Sequence, residues 1–348
     1  MWLQRASCAT PIATPETWIP QTAAHLDAVL NSRFCTPMYV RKLREARQQA
    51  TVLKKENSDN LEAILDKVNS SVIVNMSKDG EAELRNLDHL VFFAEMAKNE
   101  NFGIVLNVSH GLDSLMHYLQ EKGAQCSSVD ILVSVESGKT SFTINQNTSC
   151  HVEDISHNVK RLCQVGDAQR ISLVFADVDN SDELPSRRDF ISLCIIALKL
   201  LEVGGMFVCH ICETLTRFSV GILYILHQTF DELTILKPVM SQLSSPQRFL
   251  VCKGFQSNVF YPAYLENVLG QLVKLDCEKS ALDVVEIVPM RLLYSEQFYS
   301  FVKKMNEQLA HLELQNIVYL ENLYLYPEKM PSHEEISRLR EEVLAYLK

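Results

Sequence analysis

The stretch from Gly204 to Phe255 sets the tightest limit on what this chain can fold into. An apolar run, Met206–Ile211, leads into the helical pattern T-R-F-S-V-G-I-L-Y-I-L-H, and two β-rich runs follow, Leu233–Lys237 and Arg248–Lys253. Between those two runs lies a Pro- and Ser-rich loop of about ten residues. A parallel connection needs a longer crossover, so the pair is predicted to run antiparallel.

Upstream, short β-rich runs alternate with helical ones. Ile104–Val108, Ile131–Val135 and Ser172–Ala176 join Met206–Ile211 as predicted buried strands, each near-continuously apolar as a sheet covered on both faces requires. Leu112–Lys122 and Asp189–Leu201 have helical spacing and length. This alternation predicts an α/β fold, doubly wound and Rossmann-like.

The flanks read differently. Residues 1 to 37 hold Pro11, Pro15, Pro20 and Pro37, which predicts an irregular extension wrapped on the core. Helical spacing runs from Pro37 to Val68 and again over Glu81–Lys98. Beyond Phe255 helices are expected over Tyr261–Leu275, Ser295–Leu314 and after Pro331, where Ser332 and Glu335 form a capping box. The expected division is a mixed irregular and helical extension over 1–80, the α/β domain over 81–255 and a helical extension over 256–348.

A formal net charge of −10 opposes broad binding to a phosphate backbone, which needs a basic face. The clearest basic cluster, Arg41 to Lys55, is interrupted by apolar residues at helical spacing, and it reads as a solvated amphipathic helix in preference to an RNA-contacting face. Cys194, Cys209, Cys212 and Cys252 lie in apolar runs, where a thiol behaves as a small hydrophobe. Cys209-His210-Ile211-Cys212 has no second ligand pair at zinc-finger spacing, so no metal site is expected. The N-terminus has no continuous apolar signal region, and the longest apolar stretch, Ile191 to Cys212, is broken by Lys199, Glu202 and Gly204-Gly205. An intracellular protein with reduced thiols and no membrane partner is expected, in nucleus or cytoplasm.

The run G-G-M-F-V-C-H, followed by K-P-V-M-S-Q-L-S-S-P-Q-R-F-L-V-C, resembles the FtsJ-like (RrmJ-fold) domain of eukaryotic mRNA cap 2'-O-methyltransferases. That family keeps a GG-x-F-V-x-K strand and a K-P-x-x-S-R-x-x-S-x-E-x-Y-x-V-C turn. The similarity covers roughly residues 104 to 310. Through C-K-G-F-Q-S-N-V-F-Y-P-A-Y-L-E-N-V-L and V-V-E-I-V-P-M-R-L-L it looks most like the second, non-catalytic RrmJ-fold domain of the cap-specific mRNA (nucleoside-2'-O-)-methyltransferase 2 group. The resemblance implies S-adenosylmethionine as the family cofactor and capped mRNA or a catalytic cap methyltransferase domain as partner, with no role for DNA. It also implies either a portion of a two-domain protein or a stand-alone relative of the second domain.

In active family members an Asp, a Lys and a Glu, with another Lys upstream for which only Lys54 and Lys55 are in range here, surround the ribose 2'-hydroxyl. Such a hydroxyl is a very weak acid, so a cation held by carboxylates orients it and stabilises the developing alkoxide. Asp177 matches the Asp, His210 stands at the Lys position and Gln247 at the Glu position. The Arg of the family's S-R turn is Gln242, which removes a fixed cation. The cofactor turn P-G-G is reduced to Gly111 within V-S-H-G-L, with Asn107 before it, and Glu136 is placed to meet a ribose diol after the second strand. Three readings stand: Asp177 and His210 form a working Asp-His pair, or both are relics in a degenerate methyltransferase fold with cofactor binding lost or weakened, or the chain is a protein-interaction scaffold that binds no RNA, which its acidic charge allows. The second is the expected one, because the substitutions fall together on one catalytic unit.

Overall fold

The computed structural model describes residues 3–4, 15–24, 32–56, 102–108, 116, 119–120, 123–129, 131–136, 139–144, 148–151, 155–162, 171–177, 186–237, 248–326, 334 and 338. The described strands are β1 (Leu3–Gln4), β2 (Gln21–Ala24), β3 (Ile104–Val108), β4 (Gln125–Ser128), β5 (Ile131–Glu136), β6 (Lys139–Ile144), β7 (Thr148–His151), β8 (Ile171–Asp177), β9 (Leu201–Ile211), β10 (Phe230–Leu236), β11 (Arg248–Phe255) and β12 (Leu282–Glu286). The helices are α1 (Pro37–Glu56), α2 (Ile155–Leu162), α3 (Arg187–Leu200), α4 (Arg217–Thr229), α5 (Phe260–Cys277), α6 (Met290–Leu293) and α7 (Glu296–Leu325).

Seven strands form the main sheet in the order β1-β10-β11-β9-β8-β3-β4. β4, β3, β8 and β9 are mutually parallel, and β11 runs antiparallel to both β9 and β10. The predicted terminal hairpin is therefore present, with β11 inserted between β9 and β10. Successive residues of a strand face opposite sides, and two separate apolar clusters result. One holds Leu106, Val174, Ala176, Cys209 and Ile211 under α3, α4, α5 and α7. The other holds Val105, Leu173, Phe175, Val208 and Phe249, with Met116 and Leu119 against it. Met116, Leu119 and Gln120 are the described part of the helix expected over Leu112–Lys122, and all three are helical.

One predicted strand belongs elsewhere. Ile131–Val135 does not join the main sheet: it is part of β5, which pairs antiparallel with β6 in a three-stranded side sheet. Only two residues separate Glu136 from Lys139, a connection suited to a hairpin and too short for a parallel return. The second parallel strand is instead β4, Q-C-S-S, an exposed edge strand whose polar composition gave no apolar run to recognise.

α3 passes into β9 without a loop. Gly204 takes a φ of +84°, and a Cβ on Gly205 would stand 2.8 Å from the Glu202 carbonyl oxygen. The GG pair thus sits in the irregularity of β9 between Leu201, paired with Ile171, and Met206, paired with Leu173, where a positive φ and a close backbone approach are needed. At the far end of β9, Thr216 caps α4 by accepting the Ser219 N–H at 3.2 Å, and Arg217 beside it is exposed.

Both flanking segments pack onto this sheet. β1 extends it beyond β10, β2 pairs with β12, and Trp18 is buried among Tyr224, Tyr261 and Tyr264. α1 lies along α7 through Val40, Leu43 and Ala310. The helices expected over Glu81–Lys98 and after Pro331 fall wholly or mostly outside the described residues. Among the described helices none is long and apolar enough to cross a membrane.

The packing is tight where α4 meets the turn after β12. A Cβ on Gly221 would lie 2.6 Å from Ile287 Cγ1, a buried atom with little room to move. Gly221→Ala is expected to destabilise the fold by about 1–3 kcal/mol. Urea denaturation checks this, and an unchanged midpoint would show that Ile287 relaxes freely. Cys194, Cys209 and Cys252 are free thiols packed as hydrophobes, and burial pushes each well above its ordinary pKa.

Candidate functional site

In an open parallel sheet, ligands meet the crevice beyond the carboxyl ends of the strands where the strand order reverses. The chain runs from β3 outward to β4 and then returns to β8 on the other side of β3, so the reversal lies between β3 and β8. Asp177 is the last residue of β8, and Asn107 and His210 are the next-to-last residues of β3 and of the following strand, β9. All three share the sheet face of Val105, Phe175 and Val208, by strict alternation.

The register places Asp177 directly opposite His210, and His210 opposite Phe249. His210 Nδ1 lies 2.8 Å from Asp177 Oδ1, with side-chain exposures of 13% and 23%. A carboxylate can only accept, so Nδ1 carries the proton and Nε2 is the basic nitrogen. Phe249 stacks on the imidazole, with ring centroids 4.8 Å apart and planes at 24°. Carboxylate, strand register and phenyl face together fix the ring's tautomer and orientation. Such a pair can accept a proton from a hydroxyl through Nε2, but an imidazole is not the permanently charged ammonium that a lysine would set beside a developing alkoxide.

The other candidates divide. Gly111, Gln242 and Gln247 lie outside the described residues. Glu136 ends β5 opposite Lys139 in the side sheet and not at the end of a main-sheet strand, which corrects its predicted place beside the cofactor crevice. The position it was assigned belongs to the end of β4, where Ser127, Ser128 and Val129 stand. Asn107 is buried and directs its Nδ2 at Ser128 Oγ, 3.5 Å away. A ribose diol is commonly held by a carboxylate at such a strand end. The described residues at this strand end present the Ser127 and Ser128 hydroxyls, and the residue after Val129 in the sequence, Asp130, lies outside the described residues.

Behind the pair, the segment 212–216 is held by residues from distant parts of the chain. Arg47 of α1 donates through Nη2 to Glu213 Oε2 at 2.8 Å and through Nε to Glu313 Oε1 at 2.6 Å. Asn306 of α7 donates to the carbonyls of Thr214 and Phe34 and accepts from the buried Arg248 guanidinium at 3.0 Å. Ser32 donates to the Leu215 carbonyl at 2.7 Å. Nothing in local spacing marks these residues, since the partners are 58 to 272 positions apart. A small cavity here, lined by Phe190, Ile211, Glu213 and Thr214, opens on the face of Ile211, opposite to that of His210.

Comparison with known proteins agrees with this architecture. A family model for the FtsJ-like methyltransferases matches residues 114–255. The inactive cap-specific mRNA (nucleoside-2'-O-)-methyltransferase 1B of Caenorhabditis briggsae is 29% identical over 205 residues, 56% of this chain and 24% of that protein. Methyltransferase 1A of the same organism is 28% identical over 56% of this chain and 23% of its own length. The Xenopus laevis methyltransferase 1 is 28% identical over 39% of this chain and 16% of its own length. The chain thus spans 16–24% of the length of these three relatives, each named as a methyltransferase 1, and the finer likeness to group 2 gains no support from them. β4, β8, β9 and the β10–β11 hairpin, with Asp177 and His210, fall within the matched region, and this part of the chain is an FtsJ-like methyltransferase domain.

Proposed function

We propose that this domain is a catalytically degenerate methyltransferase module of mRNA cap methylation, one that positions capped RNA or supports a catalytic cap methyltransferase domain. The observation that carries this reading is the Asp177–His210 contact. The carboxylate that would hold a catalytic ammonium is engaged by an imidazole, and the imidazole is stacked against Phe249. The single glycine, Gly111, where the family's cofactor turn has two supports weakened S-adenosylmethionine binding, and a relative named as inactive is consistent with it. A role on capped transcripts would place the protein in nucleus or cytoplasm.

Calorimetric titration with S-adenosylmethionine and S-adenosylhomocysteine tests the proposal, alongside methyl transfer to a capped RNA. The expected result is no saturable heat up to millimolar ligand and no transfer. Micromolar binding together with transfer that Asp177→Ala abolishes would overturn it. The same 2.8 Å contact favours one other reading, an active enzyme in which Nε2 of His210 takes the proton from the ribose hydroxyl. That enzyme would transfer methyl groups to capped RNA and lose the rate in His210→Ala.

A further inference from the structure

We infer that the outer face of α1 is a contact surface for the phosphate backbone of a single-stranded RNA led to the Asp177–His210 edge of the sheet. This rests on the RNA-positioning form of the proposed function. The chain as a whole is acidic, with 33 Lys and Arg against 43 Asp and Glu. Between Arg33 and Lys55 that balance reverses: Arg33, Arg41, Lys42, Arg44, Arg47, Lys54 and Lys55 are opposed by Glu45 alone.

The structure divides these charges by role. Val40, Leu43 and Ala50 bury the inner face of α1, and Arg47 turns inward to Glu213 and Glu313. Arg41 and Lys42 stay exposed on the outer face, with Arg44 exposed at its margin. A cation needed only to hold α1 in place would resemble Arg47; Arg41 and Lys42 do not.

Position supplies the second argument. Arg47 grips Glu213, three residues after His210, so the point of attachment is within about 11 Å of the site along an extended chain. Leu43 packs on Leu215 in the same segment. The internal ion pairs therefore fix a basic helix at the carboxyl edge of the sheet, where a strand presenting its ribose to Asp177 and His210 would extend. A polyanion of regular spacing fits a helix face with cations at successive positions, since binding is driven by release of its counterions.

Fluorescence anisotropy with a 3'-labelled capped single-stranded RNA tests this, comparing the wild-type chain with Arg41→Glu/Lys42→Glu. Lys274→Glu/Lys279→Glu, exposed on and just after α5, controls for net charge. The expected result is a loss of affinity on the order of tenfold for the α1 variant. Its dependence on salt should also fall by about 1.4 in log–log slope, as for two lost phosphate contacts. The control should bind as wild type, and all three proteins should melt together. Equal binding by the α1 variant, or equal weakening by both variants, would overturn the inference. So would a wild-type chain that ignores RNA but binds polyglutamate through α1, since the face would then serve an acidic protein. Cofactor titration remains the separate test of degeneracy, so a degenerate module without an RNA face is distinguishable from an active enzyme.

Discussion

Replacing Arg47 by methionine is expected to destabilise the fold by about 3–5 kcal/mol, the loss typical when one partner of a buried ion pair is removed. Glu313 has a side-chain exposure of 1% and accepts from Arg47 through both oxygens, at 2.6 and 3.0 Å; Glu213, at 9%, accepts at 2.8 Å. Methionine fills much of the volume but leaves two carboxylates without their donor. Burial opposes the charge on Arg47, yet the hydrogen bonds and fields of Glu313 and Glu213 hold it protonated well above the ordinary arginine range. The contribution therefore persists through alkaline pH. Arg47→Lys should lose an intermediate amount, because a single ammonium cannot reproduce the fork that reaches both acids. Adding Glu213→Gln and Glu313→Gln to Arg47→Met should recover part of the loss, as the orphaned charges disappear. Urea denaturation reads all of these. A shift under 1 kcal/mol for Arg47→Met would show that Glu313 finds another partner or admits water.

The parts of the fold visible in the sequence are those where burial leaves a local pattern. β3, β8 and β9 are buried on both faces and read as apolar runs, and the antiparallel β10–β11 pair followed from the length of one loop. β4 was hidden because an edge strand with exposed polar residues has no such run, and β5 took its place because a side-sheet hairpin can be as apolar as a central strand. β12, L-D-V-V-E, passed unnoticed within a segment read as helical. In the site, Asp177 and His210 were legible through their family positions, and adjacent strand ends then make them neighbours. The Arg47, Asn306 and Arg248 clamp was not, because its geometry exists only once both ends of the chain have folded over segment 212–216. Such contacts are set by topology, and no spacing rule along the sequence encodes them.

Trp18→Ala should be comparably severe, costing about 3–5 kcal/mol, the usual loss for truncating a buried large aromatic. Trp18 is 7% exposed and lies between α4 and α5, its ring centroid 6.2 Å from Tyr224, 6.1 Å from Tyr261 and 5.6 Å from Tyr264, the last edge-on at 89°. The Trp18 backbone N–H donates to the Pro15 carbonyl at 2.9 Å and closes the short turn at Pro15–Thr17 from which the buried indole projects. Immediately beyond it, β2 pairs with β12, and the segment is fastened on both sides of the anchor. The proline-rich sequence around Trp18 gave no sign of this, since one large aromatic in a gap between helices has no period. Ile19, its neighbour, is 76% exposed and provides the contrast: Ile19→Ala should stay within about 0.5 kcal/mol of wild type. Thermal melts followed by circular dichroism can compare the two substitutions directly. Equal, small effects would mean that the segment merely lies on the surface, whereas a large loss confined to Trp18 would make it part of the α4–α5 core on which the strands of the site rest.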